Sequence, residues 1–296
     1  MIKNAKYALA WTALLLLAGC ASENGTTEAL GRTHSAAYGP DRIHYVTTGK
    51  GDKTLVFIHC WAGNLSFWRE QVPALREKAR LVLIDLPGHG QSDKPQTNYT
   101  MDYFAGAVLA VMKDAHVEKA TLIGHSMGVP IICRVYTQAP EKVAALVAVD
   151  GTLRRPEMTA GQAAEFTARY RQPDYQATTS NSLKTMFPNP ATGALRDEVI
   201  SQILATPQYV MAGAMDGMFN LDLPDWDLKQ VSIPVLVINA HNPMWDDNYK
   251  AYVRSLSPKT DYRVIEGTGH WVMLEKPAEF NAALIEALTK FDLIAE

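Results

Sequence analysis

The chain has 296 residues, of which 47% are hydrophobic and 20% are charged, and this composition is typical of a globular protein rather than a disordered one. Its formal net charge is -3, and we find no dense run of Lys or Arg and no aromatic motif of the kind that binds RNA. Nucleic acid is therefore not expected as a partner.

The first twenty residues have the pattern of an export signal. Lys3 and Lys6 give a positive start, and the apolar run Leu9–Ala18 is too short to span a bilayer. The run ends with Leu-Ala-Gly-Cys at 17–20, which resembles a bacterial lipobox, a signal in which cleavage before the cysteine frees it for lipid attachment. An ordinary secretory signal, or a buried cysteine, is the alternative interpretation.

The lipobox resemblance implies a signal peptide at residues 1–19 and a lipidated Cys20. The protein would then be anchored in the bacterial cell envelope at the outer membrane, on its periplasmic or surface side, with this lipid as its only membrane contact. The segment after the cysteine is small and polar, as in a tether. We predict that residues 20–37 form this tether and that the folded core begins near Tyr38.

Short aliphatic runs recur along the rest of the chain and predict strands that are covered on both faces, as in a parallel sheet. The predicted strands are 54–59, 80–85, 120–124, 143–149, 234–239 and 262–265. The predicted helices are 67–78, 101–115, 127–138 and 277–290. This alternation predicts a doubly wound α/β fold with its active site at the carboxyl ends of the strands.

A long interval without a convincing strand separates two of these strands. We interpret residues 151–230 as a helical cap inserted before the penultimate strand, between core segments 38–150 and 231–296. In the cap, Met211, Met215 and Met218 fall on one face of a helix. Two roles are open for this face, and they are compatible: packing against the core, or forming a flexible wall for an apolar substrate.

The pentapeptide Gly-His-Ser-Met-Gly at 124–128 lies between an apolar strand and a helix. At such a turn a serine sits on a strained backbone, and glycines two positions away on each side leave room for it. Ser126 is therefore the candidate nucleophile.

Four segments together resemble the α/β-hydrolase fold, in the order and spacing of its serine esterases and lipases. They are FIHCWAG at 57–63, DLPGHGQSD at 85–93, GHSMG at 124–128 and EGTGHWVMLEKPAEF at 266–280. They span nearly the whole domain. The resemblance implies an α/β-hydrolase core with no cofactor.

The resemblance also implies roles for particular residues. His270 corresponds to the general base, because it follows the last strand. The backbone N–H groups of Trp61 and Met127 correspond to the oxyanion hole. Cys60 departs from the usual His-Gly pair of this loop, which affects its backbone freedom or marks a subgroup; a reactive cysteine is the weaker interpretation.

Three other histidines lie in the same motif segments. They are His59, which we expect to order the oxyanion loop, and His89 and His125, which we expect to be structural.

The acid of the expected triad is not at the usual place. In most relatives it follows the strand that corresponds to 234–239, but Asn242 and Pro243 stand at that offset here. Asp150, at the carboxyl end of the strand 143–149, is the first candidate. Asp246 is the second and Asp247 the third; alternatively, Asp150 is a turn or helix-capping residue.

Cys60 and Cys133 are expected to be buried thiols, with a disulfide as the alternative in an oxidising compartment. No Cys or His spacing indicates a metal site.

The predicted activity is hydrolysis of a small-molecule carboxylic ester or lactone through Ser126 and an acyl-enzyme. A serine at position 126, rather than an aspartate, argues against epoxide or carbon–halogen chemistry. Cleavage of a carbon–carbon bond uses the same constellation and remains an alternative. A weakly catalytic binding protein of this fold is the other, and the displaced acid is its one support.

Cys20→Ala is expected to abolish membrane association, because the proposed lipid is attached to this sulfur. Fractionation of cells into soluble and membrane material, followed by immunoblotting, measures this. The wild type should sediment with membranes and the variant should not. Unchanged fractionation of the variant would reject the anchor.

Overall fold

The computed structural model describes residues 29–295, and within them one eight-stranded sheet crosses the molecule. The strands are β1 (Arg32–Tyr38), β2 (Asp41–Gly49), β3 (Thr54–Ile58), β4 (Arg80–Ile84), β5 (Ala120–His125), β6 (Val143–Val149), β7 (Val235–Ala240) and β8 (Thr260–Ile265). Their order in the sheet is β1-β2-β4-β3-β5-β6-β7-β8. The pairs β1–β2 and β2–β4 are antiparallel, and the other five neighbouring pairs are parallel. The predicted mostly parallel, doubly wound sheet is therefore confirmed.

Helices connect the strands and cover the sheet. They are α1 (Val72–Leu75), α2 (Met101–Asp114), α3 (Gly128–Gln138), α4 (Ala160–Ala168), α5 (Tyr175–Lys184), α6 (Gly193–Leu204), α7 (Gln208–Phe219), α8 (Asp247–Leu256), α9 (Val272–Glu275) and α10 (Pro277–Lys290). The central strands β5 and β7 are buried at every position, which explains why their sequences are apolar throughout rather than alternating.

The predicted tether is too long at its carboxyl end. Residues 32–37, which were assigned to the tether, belong to β1 and pair with β2 across a turn at Gly39. β1 lies at the edge of the sheet and is exposed along most of its length, so its sequence is polar and does not have the pattern of a buried strand. The sheet thus begins at Arg32. The predicted signal peptide and Cys20 lie outside the described residues.

The predicted helix at 67–78 is wrong. A 3₁₀ turn at Leu65–Trp68, capped by Asn64, is followed by the separate short helix α1. Pro73 lies in the first turn of α1, where its missing N–H costs nothing, whereas in the interior of one continuous helix it would remove a hydrogen bond.

The predicted helical insertion is present between β6 and β7. Helices α4 to α7 occupy it, and we call them the cap. Gly217 of α7 lies so close to the core that a Cβ atom there would be 2.0 Å from the carbonyl oxygen of Tyr99. Met211 is fully buried, and Met215 and Met218 line a cavity beside Ser126. The methionine face of α7 therefore both packs in the core and forms part of the cavity wall.

Among the described residues, no helix combines the length and the apolar character needed to cross a membrane.

Candidate active site

Ser126 lies on a tight turn between β5 and α3. Its φ of 54° falls in the left-handed region, which a non-glycine residue adopts only when its surroundings impose it. A Cβ atom at Gly124 would lie 2.4 Å from the carbonyl oxygen of Gly128, and one at Gly128 would lie 2.5 Å from that of Ile58. The two glycines are therefore required by close backbone packing, as the pentapeptide predicts.

The structure brings His270 and Asp150 together. His270 Nδ1 is 2.6 Å from Asp150 Oδ2, and the Asp150 side chain is only 6% exposed. His270 and Asp150 both border the cavity that Ser126 lines. A short hydrogen bond to a buried carboxylate fixes the ring orientation and the tautomer of a histidine.

Asp150 is held by two further donors on its other oxygen. Oδ1 accepts a hydrogen bond from the backbone N–H of Ala240 at 2.9 Å and from the indole N–H of Trp245 at 3.2 Å. The backbone of Asp150 is left-handed, with φ at 40°. Both donors come from the end of β7 and the loop after it, which is the loop that holds the acid in most relatives.

The side chains of the other two acid candidates contact groups other than His270. Asp246 is exposed and caps α8, where its side chain accepts a hydrogen bond from the N–H of Tyr249 at 2.7 Å. Asp247 is fully exposed and pairs with Lys250. Asp246 and Asp247 thus have other partners, because helix α8 begins at this point and Asp246 is its cap.

The two predicted oxyanion donors flank the turn at Ser126. Trp61 follows β3, and its indole N–H donates to the carbonyl of Met211 in the cap at 2.9 Å. Met127 immediately precedes α3, whose amino end carries partial positive charge. Within residues 29–295, the backbone N–H groups of Trp61 and Met127 donate to no backbone carbonyl, which leaves them available to an oxygen atom.

The expected structural histidines have the partners that such roles require. His59 donates from Nδ1 to the carbonyl of Cys60 at 2.7 Å and accepts the N–H of Leu86 at Nε2, so it ties two loops together. His125 donates from Nε2 to the carbonyl of His270 at 2.8 Å, and His89 is bonded through Nδ1 to the carbonyl of Pro87. Burial lowers the pKa of all three, and that of His89 to about 3.

Cys60 and Cys133 are free and buried, as predicted. Burial raises the pKa of the Cys60 thiol to about 12, so almost none is thiolate near neutral pH and the interpretation as a reactive cysteine is not supported. Its sulfur packs closely against Gly63. The departure from the His-Gly pair is therefore accommodated by packing.

The loop that carries His270 is fixed from two sides. The N–H of His270 donates to the carbonyl of Met186 in the cap at 3.1 Å. Both carboxylate oxygens of Glu275 lie 3.0 Å from the N–H of Gly269, and burial raises the pKa of Glu275. Neither support has a distinctive sequence pattern, because each depends on a contact formed only in the fold.

Comparison with known proteins identifies the family of the fold. A family model described as the alpha/beta hydrolase fold matches residues 53–277. This match covers most of the sequence, and the chain belongs to the α/β-hydrolase fold family.

Two curated relatives illustrate the range of this family. The chain is 26% identical over 290 residues to the dihydrolipoyllysine-residue acetyltransferase component of the acetoin cleaving system of Pseudomonas putida, covering 91% of this chain and 73% of that protein. It is 28% identical over 256 residues to the pimeloyl-[acyl-carrier protein] methyl ester esterase of Edwardsiella ictaluri, covering 82% of this chain and 96% of that protein.

Solved structures share the fold. The enol-lactonase from Burkholderia xenovorans LB400 superposes with a TM-score of 0.77 at 19% identity, covering 86% of this chain and all of that chain. At this identity the likeness concerns the fold alone.

Trp245→Phe is expected to lower the kcat of hydrolysis about tenfold. The variant loses one hydrogen bond to a charged group, which contributes about 1.5–3 kcal/mol, but the N–H of Ala240 still donates to the same oxygen and limits the loss. KM should change little, since the ring remains. Trp226→Phe is the matched control: Trp226 lines the same cavity, but its indole donates to Thr152 and not to Asp150. Equal kcat values in the two variants would contradict a positioning role for Trp245.

Proposed function

We propose that this protein is a serine hydrolase of neutral carboxylic esters or lactones, with Ser126 as nucleophile, His270 as general base and Asp150 as the acid. The observation that carries the proposal is the 2.6 Å contact between His270 and the buried Asp150, beside the cavity that Ser126 lines. The displaced acid, which was the one argument for a binding protein, thus has a replacement of suitable geometry.

In the proposed reaction, the Ser126 hydroxyl oxygen attacks the carbonyl carbon while His270 takes its proton at Nε2. Asp150 stabilises the resulting imidazolium. The carbonyl oxygen becomes an oxyanion that accepts hydrogen bonds from the backbone N–H groups of Trp61 and Met127; one such donor contributes about 10²–10³ in rate. The imidazolium then protonates the alkoxide of the leaving alcohol.

The second half of the reaction repeats these steps with water. His270 removes a proton from water, the hydroxide attacks the acyl carbon, and the ester bond to Ser126 breaks as its oxygen regains the proton. The products are a carboxylic acid and an alcohol, or a hydroxy acid if the substrate is a lactone. The donors and acceptors for these steps are side chains and backbone groups of this chain.

A neutral substrate is favoured by the lining of the cavity. It has a volume of about 440 Å³, and no Lys or Arg lines it among the described residues. A substrate with a free carboxylate would find no arginine or lysine there, although these residues usually bind such groups. The similarity to a methyl ester esterase points in the same direction.

We also propose that the enzyme acts in the bacterial cell envelope, anchored at the outer membrane through a lipid on Cys20. The support is the sequence of residues 1–20.

A fluorophosphonate probe tests the nucleophile. The wild type should be labelled at one site, and Ser126→Ala should not be labelled, because the probe reacts only with an activated serine. Ser255→Ala, which changes an exposed serine, is the control and should be labelled normally.

Failure of the wild type to react, while a known serine esterase reacts, would support a binding protein. Hydrolysis of a β-diketone without hydrolysis of any ester would support carbon–carbon cleavage.

Asp150→Asn is expected to lower kcat by about 10²–10⁴, because an amide cannot stabilise the imidazolium as a carboxylate does. Asp246→Asn should retain activity within about twofold, since asparagine also caps helices. Turnover of p-nitrophenyl butyrate by the purified variants measures both effects. A large loss in Asp246→Asn with none in Asp150→Asn would refute the assignment of the acid.

A further inference from the structure

Two cavities meet at Ser126 and His270. The larger, of about 440 Å³, lies towards Trp226 and Trp245, and the smaller, of about 110 Å³, lies towards Trp61 and the cap. We call them the large and the small cavity. An ester bound at Ser126 has two arms, so each cavity can take one of them.

The small cavity suits the acyl arm. The large cavity is bordered by the exposed residues Asn242 and Met244, the latter 64% exposed, so it opens to solvent. The small cavity is bordered by buried residues such as Trp61, Leu183 and Ile203. The alcohol must leave and water must enter while the acyl group stays on the serine, so the open cavity suits the alcohol.

The volume of the small cavity limits the acyl group. An apolar cavity of about 150 Å³ in another protein binds benzene, which has six carbon atoms. By the same measure, the 110 Å³ here admits about four or five non-hydrogen atoms. The aromatic and aliphatic walls, including Trp61 and Met215, favour an alkyl chain.

Two polar groups in these walls have no hydrogen-bond partner among the described residues. They are the indole N–H of Trp271, which lies beside the thiol of Cys60, and the hydroxyl of Thr179. Thr179, on cap helix α5, is only 1% exposed, and its hydroxyl makes no hydrogen bond among the described residues. By contrast, the hydroxyls of Thr137 and Thr185 each donate to a backbone carbonyl of their own helix. An unpaired buried hydroxyl is costly, which implies a partner that arrives with the ligand.

We infer that the small cavity binds a short acyl group of about four or five non-hydrogen atoms that carries one neutral polar atom, and that Thr179 is the specificity-determining residue that recognises this atom. This inference rests on the proposed function, since it assumes an acyl group on Ser126. A charged acyl group is not expected, because no Lys or Arg lines the small cavity in the described part of the chain.

Two matched pairs of p-nitrophenyl esters test the role of Thr179. In each pair an oxygen replaces a carbon of similar size: 3-hydroxybutyrate against 3-methylbutyrate, and methoxyacetate against butyrate. The ratio of kcat/KM for polar over apolar ester is measured in the wild type and in Thr179→Val. Because the ester pair is the same in both proteins, its intrinsic reactivity cancels.

The ratio is expected to fall about tenfold in Thr179→Val for at least one pair, because the variant keeps the shape and loses the hydroxyl. Thr179→Ser should restore it. Thr178→Val, one position away on the same helix and not lining the cavity, is the control and should leave it unchanged. Ratios unchanged in Thr179→Val for both pairs would overturn the assignment of Thr179.

Chain length tests the size limit separately. The wild type should hydrolyse p-nitrophenyl butyrate at least tenfold better, in kcat/KM, than the octanoate. Leu183→Ala, which enlarges the small cavity, should narrow this difference. A preference of the wild type for the octanoate would overturn the size limit, although hydrolysis of either ester would still support the proposed function. Absence of fluorophosphonate labelling at Ser126 would overturn both the inference and the proposed function.

Discussion

The arrangement of the site depends on one buried carboxylate. One oxygen of Asp150 accepts a hydrogen bond from His270, and the other accepts hydrogen bonds from Ala240 and Trp245. This side chain therefore connects β6 with the end of β7, the loop after β7 and the loop after β8. A charge this deeply buried is stable only when its hydrogen bonds are complete. The three donors meet that requirement and also fix the direction in which the carboxylate points.

The cap is the second constraint, because it is bonded to both loops that border Ser126. Trp61 donates to Met211, the hydroxyl of Thr206 donates to the carbonyl of Ala62 at 3.0 Å, and His270 donates to Met186. The shape of the oxyanion loop and the position of the histidine loop are thus set partly by cap helices. Cap helices also wall the small cavity, so in the proposed enzyme the cap would contact both the substrate and the loops that place the reacting groups.

Much of the fold was predictable because the signal is local. Buried parallel strands such as β5 and β6 read as continuous apolar runs, and the glycines around Ser126 identify a turn on their own. The edge strand β1 has no hydrophobic pattern, because Ala36 is its only fully buried residue. The predicted helix at 67–78 is wrong because Pro73 favours a new helix start, so that α1 begins separately after the 3₁₀ turn.

The acid partner of His270 depends on contacts that the local sequence does not specify. The position of Asp150 at a strand end favours it as the acid of the triad, but the sequence alone leaves Asp246 as a second candidate. The choice between Asp150 and Asp246 depends on where α8 begins, since a carboxylate that caps a helix accepts hydrogen bonds from backbone N–H groups of that helix. Trp245, one residue earlier, is the residue of this loop whose side chain donates to Asp150. In the proposed site, the loop that supplies the acid in most relatives thus donates a hydrogen bond to the carboxylate instead of providing it. This exchange is possible because adjacent parallel strands end at the same edge of the sheet, so an acid at the end of β6 and a donor after β7 face each other across one strand spacing.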